Sequence, residues 1–220
     1  MPGIEISAVE QGRDVHVLGY FIDTESLTLQ AFLDRQRRDR QRRIHEMRDR
    51  LAALGYEIDV DGILADARRG RSVGRPQIAA ALVQAGHVGT RDEAFDRFLE
   101  FGAPAYVPRA GTPAAAIIDL IHHAGGVASL AHPGLSRRDE LISALAERGL
   151  DAIEACHSEH DAATEAHYRR IASELGLAIT GGSDFHADSG AHRVSRPGLV
   201  TLPAADYERL THACAQRRAH

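Results

Sequence analysis

The spacing of apolar positions divides this chain into two textures that meet near Pro108. Two short apolar runs open it, residues 4–7 and 15–21, and predict a pair of strands joined through a turn at Gly12. Asp23 to Ser26 offers helix N-cap residue types. From Leu27 to about Leu54 an interrupted stripe of Leu29, Phe32, Leu33, Ile44, Met47, Leu51 and Leu54 predicts one long helix, stopped at Gly55. Shorter helices are predicted over about 60–69, 76–86 and 91–101. Pro76 suits the first position of one of them, and Thr90-Arg91-Asp92-Glu93 resembles a capping box before another. The arginines from Arg35 to Arg50 are interleaved with Asp and Glu and read as a solvated helix face.

Beyond Pro108 helices and strands alternate. Helices over 112–124, 137–148 and 161–175 lead into strands at 127–131, 151–156 and 177–181, and a last strand at 198–201 precedes a helix at 203–217. Such alternation argues for an α/β fold, a parallel sheet flanked by helices, open or closed into a barrel. The expected organisation is one α/β domain formed by residues 1–23 and 109–220, carrying a helical insertion at 24–108.

Composition narrows the class. A chain of 220 residues can bury one substantial core or hold one domain with an insertion. Net charge is −5, so no global positive field draws it to nucleic acid or membrane. Two cysteines, Cys156 and Cys214, make neither a disulfide framework nor a zinc ribbon, and Cys156 reads as a small buried hydrophobe. No apolar stretch approaches the roughly 20 residues of a membrane span, and the N-terminus lacks the charged and apolar regions of a signal peptide. The expectation is a cytoplasmic protein without a membrane partner.

Histidine is the outlier, with 13 copies. In parallel α/β architectures ligands collect at the carboxyl ends of strands, and four predicted strand ends here carry Glu, His or Asp. Glu5 lies on or just after the first strand, and His132 follows Val127 to Ala131. His157 and His160 follow the strand at 151–156, with Glu154 just inside it as a residue that orients a ligand. Asp184 and His186 follow the strand at 177–181, two positions apart, so both can turn toward one pocket. His16 lies inside the second strand. These are the residue types that a hard or borderline cation needs. His45, His87, His122, His123, His167, His212 and His220 read as exposed or helix-surface residues. Other chemistries fit less well. There is no Gly-x-Ser-x-Gly elbow, no phosphate loop and no Gly-x-Gly-x-x-Gly. Cys156 and His157 are adjacent in a strand and point to opposite faces. The chain has no lysine, which argues against Schiff-base chemistry and against amidohydrolases that use a bridging lysine.

Taken together, the motifs resemble the PHP (polymerase and histidinol phosphatase) phosphoesterases. The closer resemblance is to their bacterial branch that dephosphorylates nucleotides and degrades short RNA, over residues 1 to about 204. The matching elements are Gly3 to Ser7, His16 to Gly19, Gly74-Arg75-Pro76, Ala131-His132-Pro133-Gly134, Glu154 with His157 and His160, and Gly182-Ser183-Asp184-Phe185-His186. The resemblance implies a distorted (β/α)7 barrel with two or three divalent metals, Mn, Zn or Fe. By motif, Glu5 would bridge two metals, and His132, Asp184 and His186 would ligate them. His16 and His160 would complete the site as ligands or phosphate contacts. Glu5, Asp184 and His186 would form the catalytic set, and Arg75, His157 and His16 would meet the substrate. That substrate would be a nucleotide, a nucleoside 3′,5′-bisphosphate or short RNA cleaved from its 5′ end. The departures are the family's opening His-x-His strand and its Thr-Asp-His-Asp strand, both absent, and Gln77 where the branch commonly has His. They imply a domain short of about its first quarter, through a misassigned start at Met1 or in a truncated paralogue. Two alternatives follow: a catalytically impaired remnant that binds metal in part, and another barrel metal hydrolase.

Overall fold

The computed structural model describes residues 1–71, 73–185 and 196–219. It divides into two compact units, Met1–Gln30 with Gly111–His220, and Ala31–Ala110.

The first unit begins with a hairpin. Strand β1 (Gly3–Glu10) pairs antiparallel with β2 (Arg13–Tyr20), from Gly3 opposite Tyr20 to Glu10 opposite Arg13. The turn takes Gln11 at φ 53° and Gly12 at φ 79°. Two successive left-handed residues make the primed hairpin turn whose twist matches that of the strands. Side chains alternate between the faces of a strand. Ile6, Ala8, Val15 and Val17 are all buried on one face, which leaves Glu5, Ser7 and His16 together on the other.

The second unit contains most of α1 (Leu27–Ala53), then α2 (Asp61–Arg68), α3 (Arg75–Gln84) and α4 (Arg91–Ala94), which runs into a wider turn at Phe95–Leu99. Its core is its own: Ile44, Met47, Leu51, Ile78, Leu82 and Leu99 are all fully buried. Thr90 Oγ1 accepts the Glu93 N–H at 3.1 Å, as the motif predicts. The arginine run pairs with its neighbours, Arg42 with Asp39 and Glu46 among them. Arg43 departs from the solvated-face expectation: it is buried and donates twice to the Val107 carbonyl.

The first unit resumes with α5 (Ala114–His123), β3 (Val127–Leu130), α6 (Pro133–Ser136), α7 (Glu140–Glu147), β4 (Ala152–His157), α8 (Ala162–Leu175), β5 (Ala178–Gly182) and α9 (Ala204–Arg218). All four β3 residues and all six β4 residues are buried, as strands covered on both faces require. The sheet has the order β1-β2-β3-β4-β5. The first two pairings are antiparallel and the last two parallel.

This corrects the fold that the resemblance implies. Among the described residues the sheet has five strands, not seven, and it is open and mixed rather than a (β/α)7 barrel. Closure needs the two edge strands to pair with a common stagger, and here β1 and β5 stand at opposite edges with three strands between them. The strand expected at 198–201 is also absent: the segment is turn and bend. Gly198 at φ 81° turns the chain out of the extended region there. No helix among the described residues is long and apolar enough to cross a membrane.

Candidate metal centre

Register builds the site. Glu5 lies opposite Leu18, and Ser7 opposite His16. Glu5 and His16 are therefore diagonal neighbours on one face of the hairpin, within reach of long side chains. Glu5 Oε1 lies 2.7 Å from His16 Nδ1. Strand β3 pairs with β2 through Leu130 and Val17, and the Ala131 N–H donates to the His16 carbonyl at 3.0 Å. That pairing delivers the next residue, His132, beside the hairpin. His132 Nε2 stands 3.3 Å from His16 Nδ1 and 3.5 Å from Glu5 Oε1. One donor atom from each of the three residues lies within 4.8 Å of the others. Glu5 sits inside β1, three residues into the strand, rather than at its carboxyl end.

His132 holds an unusual backbone, φ 25° and ψ 58°. For a residue with a Cβ such a conformation costs on the order of 1–3 kcal/mol and persists only where the surroundings impose it. Its N–H donates to Glu154 Oε2 at 2.9 Å. Two residues on, the Gly134 N–H donates to His160 Nε2 at 3.2 Å. A Cβ on Gly134 would stand 2.7 Å from that nitrogen, so only glycine permits the approach. Asp184, two residues past β5, also has a positive φ, 50°.

The charges are coupled. Hydrogen bonds from His132 and then His16 hold the Glu5 carboxyl far below the usual carboxylate range, against the effect of burial. Burial pulls the His132 imidazole down, but the hydrogen bond to Glu5 and the charges of Glu154, Glu5 and Asp184 outweigh it and the net shift is upward. Burial pushes Glu154 up to about 7. Burial, with His132 and His160 nearby, lowers His157 to about 4.

Two imidazoles and one carboxylate suit a borderline divalent cation, and three protein donors are the number found at catalytic sites that keep a position open. The donor set therefore fits one divalent ion, held incompletely by Glu5, His16 and His132. Two other buried nitrogens, His132 Nδ1 and His157 Nε2, have no hydrogen-bond partner among the described residues; neither is the atom that faces Glu5 and His16, and each calls for an explanation of its own.

The other expected residues fall as follows. Asp184 is outside the three-residue cluster, yet its charge reaches His132, Glu154 and His157. His157 is buried, with its Nδ1 accepting the Glu159 N–H at 3.2 Å. Both ring nitrogens of His160 are engaged by backbone, the Gly134 N–H and the Ala155 carbonyl. Arg75 lies in the other unit, donates to the Leu99 carbonyl and stands over the Phe95 and Tyr106 rings at 5.8 and 5.6 Å. His186 and His220 lie outside the described residues. His122 is not a free surface residue: its Nε2 pairs with Asp151 at 2.8 Å. Tyr168 has no motif to mark it, but its ring stacks on His160 at 5.6 Å. The only trace of it in the sequence is an apolar ring on a helix facing the sheet.

No protein-family model matches the chain. The 5′-3′ exoribonuclease Rnm of Escherichia coli is 32% identical over 194 residues, 84% of this chain and 65% of that protein. The chain thus spans just under two thirds of that relative's length. The phosphoribosyl 1,2-cyclic phosphate 1,2-diphosphodiesterase of Eggerthella lenta is 31% identical over 191 residues, 86% of this chain and 73% of that protein. A crystal structure assigned as a metal-dependent phosphoesterase, from Bifidobacterium adolescentis, superposes with a TM-score of 0.78 at 30% identity, over 96% of this chain and 75% of that one. This chain belongs to their family of metal-dependent phosphoesterases. For a phosphoesterase of this kind, the Glu5, His16 and His132 cluster is the place in the fold where a divalent ion would be held.

Proposed function

We propose that this phosphoesterase hydrolyses phosphate esters carried on nucleotides, as a nucleotide or nucleoside 3′,5′-bisphosphate phosphatase or as a 5′-3′ exoribonuclease on short RNA. The observation that carries the reading is the convergence of Glu5, His16 and His132, from three different strands or strand ends, on one point. The two named relatives support the substrate class. One is an exoribonuclease and the other a phosphoribosyl cyclic-phosphate diesterase, so a phosphate ester on a ribose is their shared chemistry.

We read the chain as a PHP-type phosphoesterase of the cytoplasm that works with two or three ions of Mn, Zn or Fe. Glu5, His16 and His132 hold the first, and Asp184 and His186 are the further ligands; His160 braces the turn instead, its two ring nitrogens bonded to the Gly134 N–H and the Ala155 carbonyl. Bound divalent ions polarise phosphoryl oxygens and make a water molecule nucleophilic near neutral pH. The protein's own contribution is to keep the donors ready. The Glu5 carboxyl stays ionised across the physiological range because His132 and His16 donate to it. The strained turn at His132 aims one imidazole at Glu5 while Glu154 holds the main chain behind it. We assign substrate binding to His157, neutral at neutral pH, and to Arg75, because a guanidinium matches phosphate oxygens in pairs.

The test is hydrolysis of a 5′-phosphorylated short RNA and of a nucleoside 3′,5′-bisphosphate, with bound metal counted on the same preparation. Expected is turnover with two or more ions per chain, lost with a chelator and reduced at least about 100-fold in Glu5→Ala and Asp184→Ala. Turnover that survives the chelator and both substitutions would sink the proposal. A second reading, an impaired remnant, is favoured by the count of three clustered ligands among the described residues. It predicts one ion or none, and no turnover.

A further inference from the structure

Glu154 is the buried carboxyl of the sheet centre. It lies within β4, is 5% exposed, and is flanked by strands on both sides. Burying an acid at such a place is costly unless it is hydrogen-bonded or takes up a proton. Its Oε2 accepts the His132 N–H at 2.9 Å, across 22 residues of sequence. That N–H belongs to the residue whose backbone stands at φ 25° and ψ 58°, outside the regions that residues with a Cβ adopt without cost. The neighbouring strand leaves room for the carboxyl. A Cβ on Gly182 would come within 3.1 Å of Glu154 Oε1. Among the described residues Glu154 stands outside the cluster of potential metal donors, Glu5, His16 and His132.

We propose that Glu154 is a positioning residue that holds the His132 main chain in its left-handed turn and thereby sets the direction of the His132 ring toward Glu5 and His16. The inference rests on the reading of that cluster as a metal centre. The acceptor comes from a neighbouring strand, while within the turn the His132 and Pro133 carbonyls accept from the Leu135 and Arg137 N–H groups. Partners that hydrogen-bond a ligating side chain are ordinarily worth about 10- to 100-fold in metal affinity, and fixing the ligand's main chain acts on the same orientation of the ring.

Three forms of the metal-free chain decide it: wild type, Glu154→Gln and Glu154→Leu, each titrated with Zn²⁺ and with Mn²⁺. The His132 amide is followed in each by hydrogen exchange in ¹H–¹⁵N spectra. The carboxamide oxygen of the Gln variant can accept the same N–H. The expected result is wild-type-like affinity and amide protection in Glu154→Gln. In a folded Glu154→Leu, affinity falls about 10- to 100-fold and the His132 amide exchanges faster. Wild-type affinity in a folded Glu154→Leu overturns the proposal. So does a Glu154→Gln as damaged as Glu154→Leu, since charge rather than the hydrogen bond would then be what matters. Should the Leu variant not fold, the Gln variant decides alone: affinity and amide protection retained support the proposal, and either one lost overturns it. Should wild type bind neither ion, the metal-centre reading fails. Glu154 as a support of the turn then stands or falls on the amide exchange.

Discussion

At the scale of single residues the site is a set of groups whose protonation opposes one another. His157 is held neutral in the fold, lowered to about 4 by burial and by its histidine neighbours. Its folded pKa lies below the unfolded value, so the unfolded chain binds the extra proton between about 4 and about 6.5. Stability from this group is therefore full above pH 6.5 and is lost as pH falls toward 4. Glu154 runs the other way. Burial raises it to about 7, so the folded state holds the proton that the unfolded state releases, and stability falls as pH rises from about 4.5 to 7. Replacing His157 by Gln should flatten the acid-side loss in a pH series of urea unfolding, by on the order of 1–3 kcal/mol at pH 4–5. Replacing Glu154 by Gln should raise stability at pH 8 relative to pH 5, with the opposite slope. An unchanged pH profile in both variants would contradict the burial assigned to these side chains. The residue types at the site were legible in the sequence, because Glu5, His16 and His132 have few roles beside short apolar strands. What each atom touches was not. His160 reads as a ligand from its place after a strand, yet its Nε2 accepts the Gly134 N–H. That contact depends on how closely the turn after β3 approaches β4.

At the scale of elements, one glycine fixes the geometry between β4 and β5. A Cβ on Gly181 would stand 2.6 Å from Cys156 Cβ and 2.8 Å from the Cys156 carbonyl oxygen. The β4–β5 register is irregular at this place, between Glu154 and Cys156. Gly181→Ala should cost about 1–3 kcal/mol and lower Tm by about 2–12 °C at the usual 2–4 °C per kcal/mol for a chain of this size. A melting temperature within 1 °C of wild type, by the same scaling, would show that the strands can separate without penalty. Most elements were legible because each writes its period into a short window: alternation in the hairpin, a 3.6-residue stripe in the long helix. The elements that misread were those where one residue outweighs the window. The apolar run at 198–201 looks like a strand, and Gly198 at φ 81° turns it aside. Arg43 looks like a solvated charge, and the Val107 carbonyl takes it inside.

At the scale of the molecule, metal and fold are linked. A ligand that binds only the folded state adds RT ln(1 + [L]/Kd), about 2.7 kcal/mol at a hundredfold excess over Kd. Saturating Zn²⁺ or Mn²⁺ should therefore raise Tm by several degrees (about 5–10 °C on the scaling above). A chelator should reverse the rise, and Glu5→Ala should remove it. A calorimetric trace indifferent to both metal and chelator would count against the cluster as a metal site. The sequence by itself determined the residue chemistry, the hairpin, the helices and the strand–helix alternation, because these depend on side-chain type and on contacts a few residues apart. Tertiary structure alone decided that the sheet is open with β1 and β5 at its edges. It also decided that the β1–β2 register sets Glu5 diagonal to His16, and that Glu154 reaches the backbone of His132. Hydrophobic burial says that a strand must be covered but not by which neighbour. Pairing and register are settled by hydrogen bonds between segments far apart in the chain, where a shift of one residue would turn Glu5 to the opposite face.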